Sequence, residues 1–569
     1  MKWTLAEQIN PRLARELSQE LEIPGIISQI LVNRGTSTPQ AIKSFFYPTL
    51  EDLSDPMSIP GMGLAVDRII KALANRERIV IFGDYDVDGI TSTALLYLVL
   101  SRFGANVDWY LPNRVDEGYG LSKSGIDNAI DKGSTLLISV DCGITGIEEV
   151  EYAYQKGLDC VITDHHEPGN DLPEAIALVD PKLGPEDAQT RDLAGVGVAF
   201  KVAEALFDEL NEDKSLLFEH LDLVGLGTVA DIVPLTGENR ILAKFGLRQL
   251  ESTKKLGLKS LLQITKLWGT ELFSWNIVFV LAPRLNAVGR IGSAKSAFDL
   301  LTTHDSLCAA QMSRFLDEEN KKRKKLDQKI FEEAAELVET TVDLENDKAI
   351  VLDSSEWHVG VIGIVASRLV EKYHRPTVLI STTDGVGQGS ARTISSFHLL
   401  NAIKKAGIHL EKFGGHKFAA GLSILPEKIE DFRKEFTRLA NEELTPENMI
   451  PHLNIDAQID IGEIDMKLLD WLKLFSPHGP KNMRPIFMAK NVNIIDKPHV
   501  VGKNHLRFKV MGGRKAIDVI AFGFGDMKHQ IANAIEPINL AFVIEKNDYY
   551  GYPQLQLRIK DIFIGDLTA

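Results

Sequence analysis

Three carboxylates stand at alternate positions in one short segment of the sequence, GDYDVDG, from Gly83 to Gly89. Acids at this spacing in extended backbone face the same side, and carboxylate oxygens are the ligands that hard divalent cations prefer. The segment is therefore a calcium loop, a catalytic metal site or a solvated polar turn. An EF-hand loop that begins at Asp84 requires a glutamate at its twelfth position, which is Leu95 here. The calcium loop is excluded, and the other two interpretations stay open.

Further acids and imidazoles follow two later apolar runs. Asp141 comes directly after one run, and Asp164, His165 and His166 come directly after the other. Apolar, β-branched runs of this length are typical of buried parallel strands, and ligands bind beyond the carboxyl ends of such strands. Taken singly, an Asp-rich turn or a pair of histidines is more often a surface feature. Their recurrence at three successive strand ends favours one shared crevice.

The donor set of this crevice indicates which metals it would take. Clustered carboxylates repel one another unless cations lie between them. Imidazoles beside carboxylates, with no thiolate partner, suit Mn²⁺ or Mg²⁺ used in pairs for phosphoryl chemistry. We therefore expect two divalent cations, Mn²⁺ or Mg²⁺.

The bulk composition limits the class of protein. The chain has 569 residues, too many for one hydrophobic core, and a composition of 44% hydrophobic and 25% charged residues predicts a globular protein. Three cysteines without CxxC spacing predict neither disulfides nor a structural zinc site, and the sequence has no apolar run long enough to cross a membrane. We expect a cytoplasmic protein with no membrane contact. The net charge of −16 argues against binding of nucleic acid by bulk electrostatics, but allows a local basic groove.

Changes of pattern along the chain predict an α/β fold with several parts. Prolines divide residues 1–60 into short helices. Strand-like and helical segments alternate over 61–303, a charged helical pattern without Gly or Pro covers 304–344, and a second α/β domain follows over 345–445. Short alternating segments over 451–569 predict a small β-barrel or sandwich.

The motifs that carry these acids resemble those of a known superfamily. GDYDVDG, VDCGIT at 140–145, TDHH at 163–166 and ADIVPL at 230–235 are similar, in that order, to the four motifs of the DHH phosphoesterases. WHVGVIGIVASRL, GQGSAR and FGGHKFAAG, which begin at Trp357, Gly387 and Phe413, resemble the associated DHHA1 domain. The resemblance covers nearly the whole chain. It implies a DHH parallel-sheet domain joined by a long helix to a DHHA1 α/β domain, plus a C-terminal OB-like β-barrel that binds nucleic acid.

The resemblance also implies roles for the acids and imidazoles. Asp86 and Asp231 would hold one metal, Asp88 and His165 the other, and Asp141 would lie between the two. Many members carry a histidine where this chain has Phe82, which makes Asp84 a candidate additional ligand. His166 would face the scissile phosphate and Asp164 would orient its neighbours.

The substrate would be bound by residues of both α/β domains. For Arg114 and Arg290 a surface ion pair is an equal competitor. The aromatic residues of the C-terminal domain are expected mainly in its core, except for the exposed cluster Tyr549, Tyr550 and Tyr552. The substrate-binding residues implied by the resemblance are Arg114, Arg284, Asn286, Arg290, His358, Ser390, Arg392, Gly414, Gly415 and His416.

The order of the motifs and the C-terminal domain together are similar to the bacterial 5′→3′ exonucleases of this superfamily. That similarity implies hydrolysis of single-stranded DNA with a free 5′ end to 5′-mononucleotides, in DNA repair and recombination, by a monomer. Single-strand-binding protein and a helicase are the partners it implies. Two alternatives stay open: a DHH phosphoesterase that acts on short oligonucleotides or cyclic dinucleotides, and a non-catalytic DNA-binding scaffold.

Overall fold

The computed structural model describes residues 1–113, 117–291, 294–383, 385–547 and 553–566, without the side chains at 290 and 291. Arg114, the Arg290 side chain and the tyrosine cluster at 549–552 therefore lie outside the described residues. The chain forms two compact units. One contains residues 1–55, 232–244 and 452–569, and the other contains residues 56–231 and 245–451.

The secondary structure contains strands, helices and short helical turns. The strands, numbered along the chain, are β1 Lys2–Leu5, β2 Arg78–Gly83, β3 Asn106–Tyr110, β4 Leu136–Val140, β5 Asp159–Thr163, β6 Ala177–Val179, β7 Ile350–Ser354, β8 Thr377–Ser381, β9 Gly387–Arg392, β10 Lys412–Gly415, β11 Ala419–Ile424, β12 His452–Ile455, β13 Ala457–Gln458, β14 Phe487–Ala489, β15 Asn493–Ile494, β16 His499–Val501, β17 His505–Gly512, β18 Lys515–Phe522, β19 Ile538–Asn547 and β20 Gln554–Ile564. The helices are α1 Pro11–Leu21, α2 Gly25–Asn33, α3 Pro39–Phe46, α4 Met62–Asn75, α5 Val87–Arg102, α6 Lys123–Asp131, α7 Ile147–Gln155, α8 Gly195–Glu209, α9 Lys214–Phe218, α10 Leu221–Ala230, α11 Gly237–Glu251, α12 Leu256–Ile264, α13 Ser274–Asn276, α14 Ala282–Ile291, α15 Lys295–Thr302, α16 Ser306–Thr341, α17 Val359–Tyr373, α18 Leu399–Lys405, α19 Ile429–Glu443, α20 Met466–Lys473 and α21 Lys528–Ala532.

A five-stranded parallel sheet organises the first α/β domain. Its strands lie in the order β3-β2-β4-β5-β6, and every neighbouring pair is parallel. β4 is buried along its whole length because helices cover the sheet, which explains its continuous apolar sequence. The strand order reverses at β2, which makes its carboxyl end a topological switch point where ligands bind. The predicted α/β class is confirmed.

A second sheet forms the other α/β domain of the same unit, in the order β10-β11-β9-β8-β7. Only β7 and β8 run parallel, so this sheet is mixed. The charged segment predicted as a connector is the 36-residue helix α16. α16 packs on α12, α14 and α15 of the first domain and on α17 of the second, through buried residues spaced at helical intervals.

The other unit is built around an eight-stranded sheet formed by β13–β20. Helices α1–α3 bury their apolar faces in the same core as this sheet, and β1 pairs in parallel with β12. Residues 232–244 join this unit through Arg240, which donates hydrogen bonds to the carbonyl oxygens of Phe45, Leu474, Phe475 and Pro477. Of the helices in the described ranges, none is both long and apolar enough to cross a membrane.

Candidate metal centre and active site

The first group of acids lies where β2 turns into α5. Asp84 is buried directly after the strand, and Asp86 caps the helix, because its Oδ1 accepts hydrogen bonds from the amides of Asp88 at 2.9 Å and Gly89 at 3.1 Å. Gly89 approaches the backbone of Asp84 so closely that a Cβ there would lie 2.5 Å from its carbonyl oxygen. Gly89 therefore permits the tight turn that gathers the three acids.

The amino terminus of α8 fixes the carboxylate of Asp88. Its Oδ2 accepts from the amide of Gly195 at 2.6 Å and its Oδ1 from the amide of Val196 at 2.8 Å. These charge-assisted bonds use amides that a helix start leaves unpaired. A Cβ at Gly195 would lie 2.7 Å from the Cβ of Asp141, so glycine allows α8 to contact both acids.

Asp141, His165 and Asp231 complete the cluster from three other elements. Asp141 follows β4 with a positive φ of 60°, His165 follows β5, and Asp231 directly follows α10. His165 Nε2 lies 3.0 Å from Asp141 Oδ1, 3.7 Å from Asp231 Oδ2 and 3.9 Å from Asp88 Oδ2. The structure thus brings together all six residues predicted as metal ligands.

Three overlapping groups of these side chains have the spacing of metal ligands: Asp84, Asp86 and Asp141; Asp88, His165 and Asp231; and Asp141, His165 and His166. Asp84 thus belongs to a possible ligand group, as its place in the sequence suggests. The resemblance assigns Asp231 to the metal of Asp86, whereas its carboxylate lies with Asp88 and His165. Phe82 packs into the core against Tyr110, with ring centroids 5.1 Å apart, and takes no part in the crevice.

Two observations fit this crevice to divalent cations. Asp141 Oδ1 and His165 Nε2 are both buried and, although they lie 3.0 Å apart, neither makes a hydrogen bond of good geometry among the described residues. Burial, followed by the charges of the neighbouring aspartates, raises the pKa of Asp88, Asp141 and Asp231. Buried polar atoms without hydrogen-bond partners and acids that repel one another are typical of a metal site when only its protein atoms are considered.

His166 has a different environment from His165. Its Nδ1 lies 2.7 Å from Asp164 Oδ1, and Asp164 also accepts hydrogen bonds from the amides of Ile144, His165 and His166. Burial would lower the pKa of His166, but the hydrogen bond and the charge of Asp164 raise it. Burial and the nearby charge of His166 lower the pKa of His165 to about 3, which keeps that ring neutral, as a metal ligand must be.

The predicted substrate residues of the first domain lie on α14. Gly289 on this helix would place a Cβ 2.8 Å from the carbonyl oxygen of Tyr85, so α14 lies against the acidic turn. Arg284 is held by Asp317 of α16, with Nε and Nη2 each 2.9 Å from Oδ1. Asn286 Oδ1 is buried and has no hydrogen-bond partner in the described ranges.

Three of the six predicted residues of the second domain line a cavity of about 420 Å³. Ser390, Arg392 and Gly415 line it, together with the first turn of α17, whose N-cap is His358. Gly414 and His416 flank Gly415 at the β10 turn, and Gly415 has a φ of 145°, which only glycine adopts readily. Arg, Ser and a helix amino terminus are donors suited to an anion.

Two site residues are absent from the expectations drawn from the sequence. The Tyr119 hydroxyl lies 3.0 Å from His166 Nδ1, and Gly195 supplies the amide that holds Asp88. A tyrosine between two glycines and a Gly-Val-Gly helix start are weak signals, because such patterns are common in turns and packed helices.

Known proteins match each part of this architecture. The DHH family, N-terminal domain, matches residues 78–228, the DHHA1 domain matches 346–442 and the RecJ OB domain matches 455–561. The single-stranded-DNA-specific exonuclease RecJ of Bacillus subtilis (strain 168) is 36% identical over 573 residues, which cover 100% of this chain and 71% of that protein. The chain belongs to the RecJ family.

Other RecJ proteins match over similar lengths. RecJ of Escherichia coli (strain K12), also named a single-stranded-DNA-specific exonuclease, is 34% identical, with 95% of this chain and 96% of that protein covered. The crystal structure of RecJ from Thermus thermophilus with Mn²⁺ superimposes with a TM-score of 0.86 and 28% identity, and covers 100% of this chain and 80% of that one. The same RecJ with Mg²⁺ gives a TM-score of 0.81 with 27% identity and covers 100% and 79%.

Proposed function

We propose that this protein is a Mn²⁺- or Mg²⁺-dependent exonuclease that degrades single-stranded DNA from a free 5′ end and releases 5′-mononucleotides. The observation that carries the proposal is the convergence of Asp84, Asp86, Asp88, Asp141, His165 and Asp231 at the switch point of the parallel sheet. Membership of the RecJ family, whose relatives are named single-stranded-DNA-specific exonucleases, supports the choice of substrate.

These six residues would hold two divalent cations. When bound, the ions supply Lewis-acid activation of the attacking water and neutralise charge at the phosphate. The chain holds its ligands in place beforehand: the α8 amides orient the Asp88 carboxylate, and the cap at Asp86 orients its own. Prearranged ligands of this kind reduce the cost of assembling the site when substrate binds.

His166 is proposed to contact the scissile phosphodiester. Asp164 accepts a hydrogen bond from Nδ1–H, so Nε2 is the nitrogen left for the substrate, and in the imidazolium form its proton can be donated to a phosphate oxygen or passed to the leaving oxygen. Because the Asp164 carboxylate is itself bound by three backbone amides, it stays an ionised acceptor and holds the imidazole in one tautomer.

The cavity of the second α/β domain is proposed to bind the phosphate at the 5′ end. Arg392 and Ser390 lie on β9 beside the first turn of α17, and together they present positive charge and hydrogen-bond donors. Recognition of a terminal phosphate would give the enzyme its 5′→3′ direction, because a terminal phosphate carries more negative charge and more free acceptor oxygens than an internal phosphodiester. Arg284 and Asn286 on α14 are proposed to contact the strand between this cavity and the metal centre.

The two alternatives make different demands on the chain. A phosphodiesterase for short oligonucleotides has no use for an additional eight-stranded domain, and a scaffold has no use for a complete ligand set. A cytoplasmic location, a monomeric state and partners such as a helicase and single-strand-binding protein are proposals that rest on the family resemblance alone.

The deciding experiment compares three DNA substrates with Mn²⁺ and the purified full-length protein. We expect 5′-mononucleotides from single strands with free 5′ ends, and no product from duplex DNA or from 5′-blocked strands. Asp141→Asn should abolish product release while it leaves the circular dichroism spectrum unchanged. Degradation from 3′ ends, or cleavage of dinucleotides alone, would contradict the proposal.

A further inference from the structure

Tyr119 lies beside the candidate metal centre, and the proposed function gives it no role. It lies between β3 and α6, with its side chain half-exposed. Its hydroxyl oxygen is 3.0 Å from His166 Nδ1, 3.3 Å from His166 Nε2 and 3.3 Å from the carbonyl oxygen of Asp141. The hydroxyl therefore lies beside the part of the imidazole that carries both nitrogens.

A count of protons shows what this hydroxyl can do. His166 Nδ1 carries one proton at most, and the carboxylate of Asp164 at 2.7 Å is a stronger acceptor for it than a phenol. The Asp141 carbonyl can only accept, so it can take the hydroxyl proton of Tyr119. With its proton donated there, the phenol oxygen lies against the edge of the imidazole, 3.0 Å from Nδ1.

The hydroxyl thus lies between the Asp141 carbonyl oxygen and the His166 ring. A single hydrogen bond to Asp164 leaves the imidazole free to rock about that bond, whereas a second fixed contact removes this motion. The tyrosine ring adds an edge contact with the imidazole, with centroids 5.4 Å apart and planes at 66°. Asp141, which anchors the hydroxyl, is itself packed against Gly195 at the start of α8.

We propose that Tyr119 is a positioning residue, whose hydroxyl holds the His166 ring so that Nε2 faces the scissile phosphate. The inference rests on the proposed function. It extends the Asp164–His166 pair to a row of three groups, Asp164–His166–Tyr119, in which only His166 touches the substrate.

The test uses the full-length protein with Tyr119→Phe, which removes one oxygen atom and keeps the ring. Tyr154→Phe is the matched control, because Tyr154 is an exposed tyrosine on α7. We expect Tyr119→Phe to lower kcat about tenfold on 5′-labelled single-stranded DNA, with KM and calorimetric Mn²⁺ affinity within about twofold of wild type. Tyr154→Phe should behave as wild type.

A double-mutant cycle shows whether Tyr119 acts through His166. In a His166→Ala background, Tyr119→Phe should cause no further loss. An equal loss in both backgrounds, or a wild-type kcat for Tyr119→Phe alone, would overturn the proposal. In each background the two proteins compared differ only by the Tyr119 hydroxyl. Any loss of folded protein caused by His166→Ala therefore affects both members of its pair and cancels in the ratio of their rates.

A spectroscopic measurement separates this inference from the proposed function. In long-range ¹H–¹⁵N spectra of histidine-labelled protein, the His166 signals, assigned with His166→Ala, should show one ring state with a proton on Nδ1. Tyr119→Phe should broaden or average these signals, and unchanged signals would refute the positioning role. The wild-type rate reports on the exonuclease function, so the two ideas can fail independently.

Discussion

Gly195→Ala should weaken metal binding although the substitution adds only a methyl group. The new Cβ would lie 2.7 Å from the Cβ of Asp141, 2.8 Å from its Oδ1 and 2.9 Å from its Cγ. Carbon atoms pack at about 3.5–4.0 Å, so the Asp141 carboxylate or the start of α8 must move by roughly 1 Å. The substitution retains the backbone amide that donates to Asp88 at 2.6 Å, so no hydrogen-bond donor is removed.

A displacement of this size is large for a metal site. Supporting residues around metal ligands typically affect affinity by about 10–100-fold, and we expect a loss of Mn²⁺ affinity in that range. Gly63→Ala is the matched control, because Gly63 lies in the first turn of α4 with no atom within 4 Å of its new Cβ. Alanine stabilises a helix relative to glycine by up to about 1 kcal/mol. Both variants replace glycine with alanine in a first helical turn, so they share that gain.

Isothermal titration calorimetry with Mn²⁺ measures the effect directly, and thermal unfolding confirms that both variants are folded. Gly63→Ala should bind Mn²⁺ as wild type does, whereas Gly195→Ala should bind it weakly and lose nuclease activity in proportion. Wild-type affinity in Gly195→Ala would refute the argument that α8 and Asp141 need this glycine.

Three further predictions concern other residues. Arg392→Ala should raise KM for 5′-phosphorylated single strands about 10–100-fold, because it removes charge-assisted hydrogen bonds, while kcat with saturating DNA changes little in a 5′-end-labelled assay. Arg240→Met should lower the free energy of unfolding in urea by about 3 kcal/mol, since several carbonyl oxygens lose their buried donor. Burial, with the nearby charge of Arg484 second, lowers the pKa of His478 from 6.5 to about 3, so its neutral form stabilises the fold above pH 6.5 and this contribution is lost as the pH falls towards 3. One unit below 6.5, wild type should lose about 1.4 kcal/mol more than His478→Gln, and equal pH profiles in urea unfolding would contradict the assignment.

Much of the chemistry could be predicted from the sequence, because it depends on local patterns. Strand-length apolar runs followed by Asp84, Asp141 and His165 identify the carboxyl ends of parallel strands, and such ends meet at one edge whatever the details of packing. The expected α/β class is confirmed by the parallel sheet, and the expected family by the matches to RecJ proteins. The choice of glycine at position 415 also has a local cause, because its φ of 145° is one that glycine adopts more readily than other residues.

Contacts between distant segments could not be predicted in the same way. The Asp88 carboxylate is held by amides about a hundred positions later in the chain, and Asp231 shares a possible ligand group with Asp88 and His165. Tyr119 contacts His166 only because β3 and β5 end at the same edge of the sheet. The hydrophobic periodicity of the sequence does not predict contacts between residues so far apart in the chain.

The sequence by itself determined which groups can bind metal and that Asp84, Asp141 and His165 follow strands, because residue type and short-range spacing dictate both. The tertiary structure alone decided how those groups are divided among possible ion positions, and which tyrosine and which glycine support them. The physical reason is that side chains within 4 Å of one another are placed by helix packing across the sheet, and that packing depends on the whole core.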